Sequence, residues 1–232
     1  MHGLHRRDGP IWLWFEHDLW DQAALIRVLS LLAERRDALH GRLLLVPGDG
    51  RRSFPDLADE ELAALHPVPL SDAQLDAGAE AWDAFAAEEP AALDELARRG
   101  ESPLPHLAAA LRRHLMDLPW TTDGLALTER LVLQAVRDGA ADDSAVFRAL
   151  RAADPVFHVT DLIVGDVLRR LSEGARRLVT RAPPLALTTR GAAVLAGEVR
   201  HTPAVRFLGG VAVGPGSPWR WDPAKDRVVS MS

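Results

Sequence analysis

The sequence predicts an α/β protein with a mainly helical remainder: a short parallel βαβ unit, a helical middle segment and a C-terminal winged-helix-like module. Three observations support this prediction. An apolar run, a helical repeat and a second apolar run stand near the N-terminus, the middle is rich in alanine, and the last third shows a particular order of elements. The expected domains are 1–118, the α/β unit with its helical extension, and 119–232, the winged-helix-like module with a C-terminal tail.

The βαβ unit is predicted from hydrophobic patterning. Residues 11–15 are apolar on both faces, as in a strand covered on both sides of a parallel sheet. From Ala23 apolar residues recur at helical spacing until Gly41, and residues 42–46 form a second apolar run. Because the two strands of a βαβ unit are parallel, the segments that follow them are expected at one sheet edge, where such sheets bind ligands.

The middle segment is predicted to be helical. Ser71-Asp72-Ala73-Gln74 is a capping-box pattern that opens a helix to about Ala87, and two more helices are expected before Met116. Residues 119–124 contain Pro, Thr, Asp and Gly and form the expected boundary between the two modules.

The order of elements after residue 124 is typical of the winged variant of the helix-turn-helix. Thr128 is expected to cap a helix to about Arg137, and further helices are predicted at 144–152 and 160–173. A hairpin around Pro183-Pro184 and a short helix from Thr188 to Gly197 follow. The order of elements supports this prediction, since no short motif in the segment is specific.

The composition is that of a globular protein, with 47% hydrophobic and 26% charged residues. No apolar run approaches the roughly 18 residues of a membrane span, and the polar, basic segment 1–10 lacks the features of a signal peptide. The chain has no cysteine, which excludes disulfides and thiolate metal sites. A cytoplasmic location without a membrane partner is therefore expected.

A dense polar cluster follows the first strand. Glu16, His17, Asp18 and Asp21 are the candidate catalytic residues, and Gln22 is a candidate ligand-binding residue. Three carboxylates and an imidazole suit a hard metal or general acid-base chemistry. Amides at a helix N-terminus would favour an anion, but three acids repel phosphate unless a cation lies between. The expected ligand is a divalent metal, or a polar small molecule bound through a sugar or base hydroxyl; no other cofactor is indicated.

A structural interpretation of the same cluster stays open. Asp18 and Asp21 are also spaced as a helix N-cap and its first-turn acid, because negative charge stabilises that end of a helix. No H-x-x-x-H pair supports a metal site. Asp49, in the loop after the second strand, is a further candidate ligand-binding residue from the same sheet edge.

A second hypothesis is a transcriptional regulator that binds duplex DNA and whose α/β part senses a small molecule. The net charge of −6 divides into −9 over residues 1–100 and +3 over residues 101–232, which permits nucleic-acid binding without indicating it. The candidate DNA-binding residues are Arg169, Arg170, Arg176, Arg177 and Arg181. Asp161 and Asp166 oppose them, and a third hypothesis is a scaffold that binds a partner without catalysis.

Segments from residue 12 to 222 match, in order, the signature of an uncharacterised bacterial family. They lie at 14–22, 104–107, 110–115, 125–130, 187–191, 207–211 and 219–222. The chain thus resembles the domain of unknown function numbered eighteen thirty-five, which implies that Glu16, His17, Asp18, Asp21 and Gln22 form a site. Members usually begin with a further α/β segment that opens on a strand and an Asn-Gly-Asp-like turn. The resemblance implies either a start placed too far downstream here or the loss of that segment.

Overall fold

The computed structural model describes residues 9–231. The segment 1–10, expected not to be a signal peptide, therefore lies largely outside the described residues. Within residues 9–231, no helix has the length and apolar character needed to cross a membrane.

The predicted parallel βαβ unit is confirmed. Strand β1 (Ile11–Phe15) pairs in parallel with β2 (Leu43–Pro47), and helix α1 (Leu19–Ala33) connects them. The helix ends earlier than the expected Gly41, and a separate short helix, α2 (Arg36–Leu39), precedes β2. A two-residue strand, β3 (Val68–Pro69), extends the sheet antiparallel to β2, so that β1 lies at one edge.

The expectation that β1 is covered on both faces is wrong. Trp12 and Trp14 are 48% and 42% exposed, and their rings stack at 6.4 Å between centroids. The alternating residues Ile11, Leu13 and Phe15 pack against the hydrophobic core instead. The burial of a strand face depends on what packs against that face, and in β1 only the face with Ile11, Leu13 and Phe15 meets the core.

The middle segment is helical, as predicted. Four helices fill it: α3 (Asp59–Ala63), α4 (Asp72–Ala86), α5 (Ala91–Arg98) and α6 (Leu107–Leu115). The capping box at the start of α4 is confirmed, since the Ser71 amide donates to Gln74 Oε1 at 3.0 Å and the Gln74 amide to Ser71 Oγ at 3.3 Å. Helix α4 approaches α1 closely at Gly78, where a Cβ would lie 2.4 Å from Leu29 Cβ.

Three helices, a hairpin and a short helix follow, in the predicted order. They are α7 (Leu127–Arg137), α8 (Asp143–Ala153), α9 (Asp161–Ser172), the antiparallel strands β4 (Val179–Thr180) and β5 (Ala186–Leu187), and α10 (Thr189–Leu195). The prediction that Thr128 caps α7 is wrong, because the helix begins one residue earlier. The Thr128 hydroxyl instead donates to the Asp117 carboxylate at 2.9 Å.

Two hydrophobic cores organise the chain. The first unites α1, β2, α4, α5 and α6 with the C-terminal tail, and the second unites α7 to α10. The tail forms two hairpins, β6 (Arg206–Leu208) with β7 (Val211–Val213) and β8 (Trp219–Asp222) with β9 (Arg227–Ser230). Trp221 is 1% exposed and lies in the first core, where its ring anchors the tail. The division at residue 118 stays a prediction.

Candidate metal centre

The polar cluster after β1 lies where the two cores meet. Leu19, the first residue of α1, packs into the second core and donates its amide to the Val156 carbonyl at 2.8 Å. This bond holds the loop between α8 and α9 against the start of α1. Glu16, His17 and Asp18 are buried at this junction, with 8%, 8% and 6% exposure.

Asp18 is the N-cap of α1, as the structural interpretation predicted. Its Oδ1 accepts the amides of Trp20 at 2.8 Å and Asp21 at 3.1 Å. The Gln22 amide donates to the Asp18 carbonyl. The first amides of α1 are therefore all used within the protein, and the helix N-terminus holds none of the anion-binding amides that the sequence had suggested.

Asp21 and Gln22 fold back onto Glu16. The Glu16 amide donates to Asp21 Oδ2 at 2.6 Å, and Gln22 Nε2 donates to the Glu16 carbonyl at 2.5 Å. These bonds fix the turn between β1 and α1. Asp21 and Gln22 thus position the backbone of the cluster, a structural role beside the catalytic role predicted for Asp21 and the ligand-binding role predicted for Gln22.

The Glu16 side chain reaches the loop after β2. Its Oε1 accepts the Phe54 amide at 2.7 Å. The neighbouring Ser53, 5% exposed, brings its Oγ to 2.9 Å from His158 Nδ1. The segments that follow β1 and β2 thus meet at one edge of the sheet, as predicted. The residues of the second segment that reach the cluster are Ser53 and Phe54.

Asp49 does not join the cluster. Its Oδ1 accepts the amides of Arg51 and Arg52, each at 2.7 Å, and Arg52 lies within ion-pair distance. The Arg52 and Arg51 amides lower the pKa of Asp49. The carboxylate therefore closes its own turn, and its role in ligand binding stays a prediction.

The sequence interpretation missed His158, which lies in the loop between α8 and α9. Its φ is +48°, in the left-handed region that few non-glycine residues adopt and that occurs often at functional sites. Among the described residues, Glu16, Asp18 and His158 each offer one ligand atom, and these atoms lie within 4.8 Å of one another. The residue is 140 positions from Asp18 in sequence, so no local pattern could reveal it.

No arginine or lysine balances the carboxylates of the cluster. Across residues 9–231, Glu16, Asp18 and Asp21 take part in no ion pair, although all three lie at the junction. Burial raises the pKa of Asp21, and the charges of Asp18 and Glu16 raise it further against the lowering effect of the Glu16 amide. The arrangement holds negative charge that a cation would stabilise.

A small polar cavity of about 140 Å³ opens beside the cluster. His17, Ser53 and His158 line it, together with the exposed arginines Arg51 and Arg151. The Nδ1 of His17 is buried and has no hydrogen-bond partner in the described part of the chain. An unpaired buried ring nitrogen costs stability, which a bound water, ion or ligand would offset.

The predicted DNA-binding arginines are largely paired. Arg169 contacts Asp166 and Glu173, Arg170 contacts Asp166, and Arg181 contacts Asp143. The remaining two, Arg176 and Arg177, are exposed in the turn between α9 and β4.

A larger cavity of about 530 Å³ lies between α1, α9 and the β6–β7 hairpin. Its walls are mainly apolar, with Trp20, Phe157, Leu162 and Phe207 among them. It shares α1 with the polar cluster but contains none of the residues Glu16, Asp18 and His158.

No protein-family model, curated protein or solved structure matches the chain. The resemblance to the domain of unknown function numbered eighteen thirty-five therefore stays a prediction.

Proposed function

We propose that this protein binds a divalent cation, and with it a polar ligand, at a site that joins its α/β part to a winged-helix module. The observation that carries the proposal is the meeting of Glu16, Asp18 and His158 within 4.8 Å, with both carboxylates buried. The order of three helices, hairpin and helix over residues 127–195 supports the winged-helix assignment.

The charge of the cluster favours a cation. A carboxylate moved from water into a protein interior loses several kcal/mol of hydration, which only a counter-charge or strong hydrogen bonds restore. Asp18 and Glu16 each have amide donors on one oxygen. The second oxygen of each accepts no hydrogen bond from residues 9–231, and is the atom that a metal would use.

The donor set indicates the kind of cation. Carboxylate oxygens suit Mg²⁺ and Mn²⁺, and imidazole suits Zn²⁺ and other transition ions. Two carboxylates with one imidazole therefore fit Mn²⁺ or Zn²⁺. Ser53, hydrogen-bonded to the His158 ring, would hold that ring in place as outer partners of metal ligands commonly do.

The helix-cap role of Asp18 is compatible with a metal. The cap uses Oδ1 for two amides and leaves Oδ2 unengaged among the described residues. Asn caps helices as well as Asp does, because its side-chain oxygen accepts the same amides. Asp18→Asn consequently separates the two roles: it keeps the cap and removes the charge.

Calorimetric titration of Mn²⁺ tests the proposal. Wild-type protein is expected to bind one Mn²⁺ in a saturable reaction, and Glu16→Gln, Asp18→Asn and His158→Gln each to weaken it by more than about tenfold. His106→Gln is the matched control, since its ring lies 6.0 Å from His17 but outside the three ligands. Saturable binding that all three variants retain, or no binding of Mn²⁺ or Zn²⁺ by wild type, would overturn it.

Duplex-DNA binding stays a second prediction for the winged-helix module. Arg176 and Arg177 are the exposed positions for it, because the other three arginines have carboxylate partners. Affinity for duplex DNA at low salt that falls when Arg176 and Arg177 become Gln would support it.

A further inference from the structure

We infer that the polar ligand of this site carries a phosphate group, which binds the metal on the side of the 140 Å³ cavity. The inference rests on the proposed cation site. Phosphate without a cation would be repelled by Glu16 and Asp18, which lie next to the cavity wall formed by His17 and His158. A divalent ion removes that repulsion and supplies a positive charge for a phosphate oxygen.

The cavity presents more donors than acceptors. Arg51, Arg151, His17 and Ser53 bring two guanidinium groups, an imidazole and a hydroxyl to its wall. Guanidinium groups bind phosphate oxygens through paired N–H donors, which makes arginine the usual residue at such sites. These donors give the cavity wall groups that can bind an anion.

The two carboxylates that also line the cavity have arginine partners. Asp154 accepts a hydrogen bond from the buried Arg113, and Asp56 lies 3.8 Å from Arg151. Arg51, in contrast, forms no ion pair within residues 9–231. One guanidinium charge therefore faces the cavity without a protein counter-ion.

His17 supplies the independent observation that a ligand belongs here. It is 8% exposed, it lines the cavity, and its Nδ1 lacks a partner among the described residues. A phosphate oxygen would accept a hydrogen bond from that nitrogen after a rotation of the ring towards the cavity, since Nδ1 is covered by protein in this conformation. The volume of about 140 Å³ admits a phosphate group and leaves the rest of an ester outside the cavity.

Titration of inorganic phosphate and of glycerol 3-phosphate into the Mn²⁺-loaded protein tests this inference. Both are expected to bind, because they share the phosphate group, and tighter binding of one tells whether free phosphate or an ester is the preferred ligand. Arg51→Gln should weaken both by about tenfold, the loss of a charge-assisted contact, while Mn²⁺ affinity stays unchanged. Omitting Mn²⁺ should abolish binding.

Arg148→Gln is the matched control, an exposed arginine of α8 that does not line the cavity. Phosphate binding that Arg51→Gln and Arg148→Gln change equally would overturn the inference. So would Mn²⁺ binding without any phosphate binding, a result that leaves the cation site intact. Failure of Mn²⁺ itself to bind would reject the proposed function instead, so the two failures are distinguishable.

Discussion

Two groups of buried carboxylates lie near the junction of the two cores, and they differ in their counter-charge. Asp117 and Asp154 share Arg113, which is 4% exposed, donates from Nε to Asp154 and lies 3.2 Å from Asp117 Oδ2. Glu16 and Asp18 have no such cation among the described residues. In the first group a buried guanidinium balances the carboxylates, although Arg113 Nη1 forms no hydrogen bond within residues 9–231, whereas the second group has no cationic partner there.

The pKa values of Asp117 in the first group and of Asp21, the half-buried neighbour of the second group, shift in opposite directions. Burial acts to raise the pKa of Asp117, but Arg113 and Arg206 outweigh it, and the pKa is lowered. At Asp21 burial has the same direction, the neighbouring charges are negative, and the pKa is raised. The sign of the shift at a buried carboxyl thus depends on the charge beside it, more than on burial alone.

The largest expected effect tests the complete group. Arg113→Met should lower the free energy of unfolding by about 3–5 kcal/mol, because it leaves Asp117 and Asp154 buried without a counter-charge. Urea denaturation measures it. Arg137→Met removes the exposed ion pair with Asp138 and should leave the free energy of unfolding nearly unchanged, because solvent screens that pair. Equal losses of unfolding free energy in the two variants would contradict this prediction. They would show that the buried ion pairs of Arg113 stabilise the fold no more than an exposed pair does.

A second effect concerns acid sensitivity next to Arg113. Burial lowers the pKa of His114 from 6.5 to about 4, so the unfolded chain takes up the proton first as the pH falls. The stability contributed by neutral His114 is therefore present above pH 6.5 and lost towards pH 4, by roughly 3 kcal/mol. Urea denaturation between pH 7 and 4.5 should show a smaller loss in His114→Gln than in wild type; parallel profiles would contradict this.

The smallest expected effect tests the incomplete group. Because the pKa of Asp21 is raised, its carboxyl stabilises the fold at low pH and loses that contribution as the pH rises above 3.8. In metal-free protein at pH 7, Asp21→Asn should raise the free energy of unfolding, and by the smallest amount of the three effects because solvent screens this partly exposed side chain.

Chemical denaturation in EDTA measures the Asp21 effect. Asp142→Asn is its control, since Asp142 caps α8 through the Ala145 amide and lies outside the cluster. A loss of stability in Asp21→Asn greater than in the control would contradict this prediction. It would show that the Asp21 carboxylate stabilises the fold even without a metal.

Local patterns were enough to predict much of the fold. The βαβ unit, the capping box at Ser71 and the element order from α7 to α10 follow from apolar spacing, caps and turn residues. These features depend on neighbours within a few positions, which is why a single sequence reveals them. The exposure of Trp12 and Trp14 was not predictable in this way, because it depends on which distant segments pack against each face of β1.

The candidate site was likewise predictable only in part. Glu16, His17 and Asp18 could be located from the sequence alone, because a strand end and a helix start stand side by side in the chain. Their chemistry was decided by the tertiary structure. Packing of the second core against α1 brings His158 to Glu16 and Asp18, and it assigns Arg113 to Asp117 and Asp154 instead. Counter-charges come from segments far apart in sequence, so only the folded chain determines which buried carboxylates have a cationic partner and which have none among the described residues.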